Sequence, residues 1–113
     1  MKRYLGKKRV IKIYIDSTDS FDGNPLWQEI LSRVKSFGLA GATVTKAVAG
    51  VGVNSELHSF DIWALSQKLP IVIEIIDEEE KLEQFLKQYD FMIEEGLITM
   101  SDVEVLKYKN RKL

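Results

Sequence analysis

The order of strand-type and helix-type hydrophobic patterns is the strongest constraint on the fold of this 113-residue chain. Arg9–Asp16 (RVIKIYID) alternates, with isoleucine at every second position, which is typical of a half-buried strand. Thr43–Val51 is rich in small and β-branched residues, Ile71–Asp77 alternates around Glu74, and Asp102–Lys109 alternates again. The sequence therefore predicts a strand in each of these four segments.

Two amphipathic helices are predicted between these strands. The first begins with Asn24 as its N-cap and ends before Gly38, with apolar residues at three- and four-residue spacing. The second follows Asp77 through residues 78–95 and ends at Gly96, and its leading glutamates suit the positive end of the helix dipole.

The order β-α-β-β-α-β predicts an α+β fold of the ferredoxin-like type. This fold is a two-layer sandwich in which both helices cover one face of an antiparallel sheet, with the strands in the order fourth, first, third, second. We expect one domain over residues 1–113, with residues 1–8 as a basic N-terminal extension. The face without helices is too apolar to stay in water, which predicts a subunit interface formed by Val10, Lys12, Tyr14, Val72, Glu74 and Ile76.

Composition excludes several classes of function. Sixteen basic and 17 acidic residues nearly balance, so the overall charge gives no reason to expect nucleic acid as a partner. The chain has no cysteine, and no apolar run approaches the roughly 20 residues that cross a bilayer. The basic start leads into no apolar segment, so we expect a cytoplasmic protein without membrane insertion. No nucleophile motif or paired-carboxylate pattern stands out, which favours a non-enzymatic protein.

The glycine-containing stretch AGVGVNSELHS (Ala49–Ser59) is the most distinctive candidate for a binding site. Backbone amides of glycine can approach an anion closely, and lysine or arginine can neutralise its charge. From the strand order we expect the glycines and the basic residues of several segments to meet at one end of the sheet: Gly50, Gly52, Lys68, Lys7, Lys8, Arg9, Lys107, Lys109 and Arg111. The simpler alternative is that these glycines form only a turn or bulge and that the basic termini are solvated.

A dinucleotide-binding enzyme is an alternative interpretation of the same loop. Gly50-Val51-Gly52 follows a strand, residues 56–65 could form a helix, and Asp77 ends the next strand where a ribose ligand is expected. Against it, Ser55 stands at the third glycine position and Lys46 interrupts the apolar strand. An RNA-binding sheet is a further alternative, but most of the strand aromatics that it requires are missing.

Four long stretches resemble the PII-like proteins, which are related in fold to the PII nitrogen-signalling regulators. They are FDGNPLWQEIL (Phe21–Leu31), FGLAGATVTKAVAGVGVNSELHS (Phe37–Ser59), LPIVIEIIDEEEKLEQFL (Leu69–Leu86) and EEGLITMSDVEVLKY (Glu94–Tyr108). The resemblance implies a ferredoxin-like trimer that binds an adenine nucleotide, ADP or ATP, in clefts between subunits. It also implies a regulatory role without catalysis, exerted on a partner that is a protein or a membrane transporter.

The resemblance assigns nucleotide contacts to the loop after the second strand, to the turn before the fourth strand and to the basic C-terminal region. Matched by position, the predicted nucleotide-binding residues are Gly50, Val51, Gly52, Ser55, His58, Gly96, Leu97, Lys107 and Lys109. The sequence departs from PII proteins in two places: the long effector loop is reduced to residues 54–68, and Glu95-Gly96-Leu97-Ile98 replaces a glycine-aspartate-glycine-lysine turn. A ferredoxin-like sensor of a small metabolite remains the alternative function.

Overall fold

The computed structural model describes residues 4–51, 57–59 and 69–111. A short 3-10 turn at Asp90–Met92 follows the second helix. The strands and helices of the described residues are β1 (Gly6–Asp16), β2 (Ser20–Phe21), β3 (Asn24–Pro25), α1 (Leu26–Phe37), β4 (Ala42–Lys46), β5 (Ala49–Val51), β6 (Leu57–Ser59), β7 (Pro70–Asp77), α2 (Glu79–Tyr89) and β8 (Leu97–Val105).

The central sheet has four strands in the order β4-β7-β1-β8, and each neighbouring pair is antiparallel. The α+β, ferredoxin-like architecture and the expected strand order are therefore confirmed. We call the end of the sheet that holds Gly6, Ala42, Asp77 and Val105 its upper end. The lower end holds Asp16, Lys46, Pro70 and Leu97.

The core lies between one face of the sheet and the two helices. Isoleucines at alternate positions of β1 and β7 form the sheet side, and α1 and α2 pack onto this same face. Ile11, Ile73, Ile75 and Leu82 are completely buried. Both helices therefore cover one face, as the sequence predicted.

Helix α1 ends where the sequence predicted, at Gly38. This residue has a φ of 86° in the left-handed region, and its N–H donates to the carbonyl oxygen of Lys35 at 3.2 Å. The N–H of Leu39 donates to the carbonyl oxygen of Val34 at 3.3 Å, which satisfies a second carbonyl of the last turn. At the start of α1 the prediction was wrong, because Pro25 rather than Asn24 occupies the cap position and no side chain caps the helix.

The second helix and the last strand differ from their predicted bounds. Helix α2 stops at Tyr89 instead of continuing to residue 95, and the buried Met92 follows in the 3-10 turn. Strand β8 runs over Leu97–Val105 rather than 102–109, since Ile98 and Met100 pack against the core and thereby extend the sheet toward its lower end. Local alternation did not reveal these two residues, because they pack against strands and helices distant in sequence.

The predicted second strand is divided into two. Strand β4 ends at Lys46, and β5 begins three residues later and pairs with β6. The dinucleotide alternative requires a helix here, whereas Leu57–Ser59 is a strand; residues 56 and 60–65 of that expected helix lie outside the described residues. In the described parts of the chain, neither helix has the length and apolar character needed to cross a membrane.

The second face of the sheet carries the side chains predicted to form a subunit interface. Lys12 and Tyr14 of β1 lie opposite Glu74 and Val72 of β7. Val10 is only 8% exposed, while its neighbours on this face are half-buried or exposed. Within the described ranges no helix packs on this face, and Val72 and Ile76 are half-buried there.

Candidate functional site

The strand register divides the predicted site residues between the two ends of the sheet. Lys107 and Lys109 follow β8 at the upper end, whereas Gly96 and Leu97 precede or begin it at the lower end. Eight residue steps along β8 separate Leu97 from Val105, which is about 26 Å at ~3.3 Å per residue. The end of β4, which leads to Gly50, and the start of β7, which follows Lys68, lie at the lower end, whereas the start of β1 and the end of β8 lie at the upper end. The expectation that the glycines and the basic residues of these segments meet at one end of the sheet is therefore wrong.

Antiparallel pairing is the physical reason for this correction. In an antiparallel pair the start of one strand lies beside the end of its neighbour. The register Arg9↔Asp77 and Asp16↔Pro70 thus puts the start of β7, which follows Lys68, at the end opposite to the start of β1. The N-terminal and C-terminal basic residues do share the upper end, as Gly6↔Val105 requires.

The glycine loop follows the lower end. The N–H of Ala47, directly after β4, donates to the carbonyl oxygen of Pro70 at 2.8 Å. In the β5–β6 pair, Gly50 lies opposite His58 and Val51 opposite Leu57. The predicted residues Gly52 and Ser55 lie outside the described residues.

At the lower end Gly96 also has a structural role. A Cβ at this position would lie 2.6 Å from the carbonyl oxygen of Tyr14, closer than real Cβ atoms come to other heavy atoms. Glycine is therefore required for the backbone before β8 to approach β1. The neighbouring Leu97 is 58% exposed and pairs with Tyr14, so its side chain is accessible on the uncovered sheet face.

A groove of about 350 Å³ lies at the upper end, among the start of β4, the end of β7 and the two terminal segments. Its volume is in the range of small-ligand sites. Ile76 and Val105 contribute apolar surface, and the hydroxyl of Thr43 and the carboxylate of Glu74 contribute polar groups. The ammonium-bearing side chain of Lys8 also lines the groove.

Asp77 holds one wall of this groove in place. It is 2% exposed, and its Oδ2 accepts a hydrogen bond from the N–H of Ala40 at 2.9 Å. Its Oδ1 accepts from the N–H of Glu78 at 2.7 Å. One carboxylate therefore joins the connection between α1 and β4 to the start of α2, and Lys81 Nζ reinforces the joint by donating to the carbonyl oxygen of Gly38 at 2.7 Å.

Arg9, which lies opposite Asp77 in the register of β1 and β7, forms a second cross-link on the helix-covered face of the sheet. Its guanidinium contacts Glu79 at 3.1 Å and Asp102 at 2.9 Å. These contacts join α2 to β8 on the helix-covered face, whereas the adjacent Lys8 lines the groove. Because successive side chains of β1 point to opposite faces, Arg9 forms structural ion pairs on one face while Lys8 can reach a ligand on the other.

Sequence reasoning did not assign the groove residues Thr43, Glu74, Tyr4 and Tyr108 to a binding site. One signal was present: Glu74 is the only charged side chain inside an otherwise apolar run, IVIEII. The tyrosines had no comparable signal, since they meet only after β1 and β8 pair. Among the described residues no cluster of three or more histidine, cysteine, aspartate or glutamate side chains could hold a metal ion.

The fold is that of the PII-like proteins. CPII, a nitrogen regulatory PII-like protein from Thiomonas intermedia K12 whose structure was solved with ADP, AMP and bicarbonate, superimposes with a TM-score of 0.65 over 89% of this chain and 97% of its own, at 16% identity. A Thermus thermophilus protein described as a putative PII-like signaling protein superimposes with a TM-score of 0.63 over 90% of this chain and 92% of its own, at 22% identity.

Sequence similarity then identifies the family. The chain belongs to the DUF190 family, described as "Uncharacterized ACR", which it matches over residues 8–105. A UPF0166 protein of Aquifex aeolicus is 43% identical over 88% of this chain and 94% of its own length. A UPF0166 protein of Methanocaldococcus jannaschii is 38% identical over 89% of this chain and 94% of its own. The resemblance to an uncharacterised PII-like family is thereby confirmed.

Proposed function

We propose that this protein is a non-enzymatic regulator that binds an adenine nucleotide between copies of itself and relays the bound state to a partner. The observation that carries the proposal is the upper-end groove of about 350 Å³, in which apolar surface, a carboxylate and a cation lie together. The binding of ADP and AMP by CPII, which has the same fold, supports an adenine nucleotide as the ligand.

The groove has the chemistry that an adenine base needs. Its apolar walls at Ile76 and Val105 suit a planar ring, and the Glu74 carboxylate and Thr43 hydroxyl can accept hydrogen bonds from an exocyclic amino group. The positive charge of Lys8 suits the phosphates. Lys107 and Lys109 follow β8 at this same end and are exposed, so they are the further candidates for phosphate contact.

A second copy would complete the site. The other predicted contacts among the described residues belong to the lower end or follow it: Gly50, Val51, His58, Gly96 and Leu97. Along β8, Leu97 lies about 26 Å from Val105 at ~3.3 Å per strand residue. An oligomer that brings the lower end of one copy to the upper end of the next unites the two groups. A closed trimer would form three such sites, one at each contact between neighbouring copies. The uncovered sheet face would supply apolar surface for these contacts.

The proposed signal is a change in the loop that contains Asn54–Ser59. A nucleotide that contacts the base of this loop binds one loop state better than another and thereby shifts the population toward it. The partner, a protein or a membrane transporter, then distinguishes the two states. No chemical step is required for this relay.

Isothermal titration with ADP, ATP and AMP, combined with light scattering, tests the proposal. We expect one nucleotide per chain and a particle of three chains. Glu74→Gln should weaken binding roughly tenfold through loss of a charged hydrogen-bond acceptor, with Glu83→Gln on the exposed side of α2 as the matched control. A trimer that binds none of the three nucleotides would contradict the proposal.

A sensor of a small metabolite is the second candidate, favoured by the apolar contribution of Ala40, Ala42 and Ile76 to the groove. The two candidates differ in their dependence on phosphate charge. Joint replacement of Lys107 and Lys109 by alanine should weaken nucleotide binding and leave an uncharged metabolite unaffected. The nucleotide series in the titration above, repeated with this double variant, separates the two.

A further inference from the structure

Two tyrosines from opposite ends of the chain stack on each other at the groove. Tyr4 precedes β1 and Tyr108 follows β8, and the pairing of Gly6 with Val105 brings the two segments together. Their ring centroids are 4.3 Å apart and their planes are inclined by 27°. Both side chains are half-buried, and both line the groove.

This tyrosine pair is separate from the hydrophobic core. The core cluster and the partly buried side chains packed against it include Tyr89 but neither Tyr4 nor Tyr108. The other aromatic contacts of the described residues involve Phe21, Phe37, Phe85, Phe91 and Tyr89, at the helices and the β2–β3 hairpin. The pair therefore contributes aromatic surface to the groove and not to the packing of helices on the sheet.

We propose that Tyr4 and Tyr108 form a stacking platform for the base of a ligand held in the groove. This inference rests on the proposed function. The tyrosines would contact the flat face of the base, and Glu74 and Thr43 would bind its edge by hydrogen bonds. Stacking on aromatic side chains depends on ring area and not on hydrogen bonds, so a platform adds affinity for any purine. The hydrogen-bonding groups then select among purines.

The platform also links base binding to phosphate binding. Lys107 and Lys109 adjoin Tyr108 in the exposed segment after β8. A base that stacks on the Tyr108 ring immobilises this segment and so reduces the entropy lost when the two lysines meet the phosphates. Loss of the ring should therefore weaken ADP binding by more than the loss of contact area alone.

The test compares leucine and phenylalanine at each tyrosine, with ADP as the probe in isothermal titration. Tyr108→Leu and Tyr4→Leu keep apolar volume but remove the ring, and each should weaken ADP binding about tenfold. Tyr108→Phe and Tyr4→Phe keep the ring and should bind within about twofold of the unmodified protein. Phe91→Leu, at a 65% exposed aromatic residue outside the groove, is the matched control and should not change binding.

The possible outcomes separate this inference from the proposed function. If the unmodified protein binds ADP and the leucine variants bind it equally well, the platform is refuted and nucleotide binding stands. If phenylalanine weakens binding as much as leucine does, the hydroxyls rather than the rings act, and stacking is again refuted. If the unmodified protein binds no ADP, both proposals fail. NMR cross-relaxation between adenine H8 or H2 and tyrosine ring protons would support the platform directly.

Discussion

Replacement of Asp77 by alanine should destabilise the protein far more than the loss of an ordinary carboxylate. The side chain is 2% exposed, and its two oxygens accept hydrogen bonds of 2.9 Å from Ala40 and 2.7 Å from Glu78. Alanine removes both acceptors and leaves two backbone N–H donors in a partly buried position. Each donor then needs water or a new acceptor in place of the carboxylate.

The size of the effect follows from these two bonds. Hydrogen bonds to a charged group contribute about 1.5–3 kcal/mol each, and water that enters the vacated space recovers a part of this. We therefore expect the free energy of unfolding to fall by about 3 kcal/mol for Asp77→Ala, a large share of the roughly 5–15 kcal/mol typical of a domain. Asp77→Asn keeps one acceptor oxygen and turns an NH₂ group toward the second donor, so we expect a loss of about 2 kcal/mol.

Urea denaturation followed by circular dichroism, at one fixed chain concentration, measures this loss. With a slope of about 1.5 kcal/mol per molar urea, the midpoint for Asp77→Ala should fall by about 2 M. Glu83→Ala, an exposed carboxylate on the same helix–strand unit, is the matched control and should shift the midpoint little. An Asp77→Ala midpoint equal to that of the control would refute the role of Asp77 in linking the α1–β4 connection to the start of α2.

Further substitutions test the packing, the uncovered face and the ion pairs. Gly96→Ala should lower the free energy of unfolding by about 2 kcal/mol or more, because its Cβ would lie 2.6 Å from a backbone oxygen of β1. Gly41→Ala is the control and should be close to neutral, because a Cβ there would meet no atom outside its chain neighbours within 4 Å. Ile73→Ala, at a fully buried site, should lower the free energy of unfolding by about 2–5 kcal/mol. Ile76→Ala, on the uncovered face, should reduce the particle mass in light scattering and change the circular dichroism spectrum little. Arg9→Ala should cost no more than about 1 kcal/mol at low salt and less at about 1 M NaCl, since its ion pairs are partly exposed; a loss that is independent of salt would contradict this.

The bounds of strand β8 depend on tertiary packing and not on local alternation alone. Alternation in the sequence identified a strand near Asp102–Lys109, but the structure starts it at Leu97 and ends it at Val105. Ile98 and Met100 belong to the strand because their side chains pack against the core, on the same face of the sheet as the isoleucines of β1. Their membership depends on partners more than 80 residues earlier in the chain, which no local window contains.

The candidate site was predictable only in its chemistry. Glycine amides, basic side chains and an anionic ligand were expected at one end of the sheet. The end of β4, which leads to Gly50, lies at the lower end, whereas the start of β1 and the end of β8 lie at the upper end. The groove itself, with Thr43 and Glu74, was not anticipated, since it forms from strand ends and terminal segments that are remote in sequence.

The amino-acid sequence by itself determined the kinds of elements, their order and the face that each one buries. These properties depend on residues two to four positions apart, as in the isoleucines of β1 or the turn at Gly38. The tertiary structure alone decided which strand ends lie together, and with them the groove, the Asp77 joint and the Tyr4–Tyr108 stack. The physical reason is that neighbouring strands of an antiparallel sheet run in opposite directions. Two residues that each follow a strand can therefore lie at opposite ends of the same sheet.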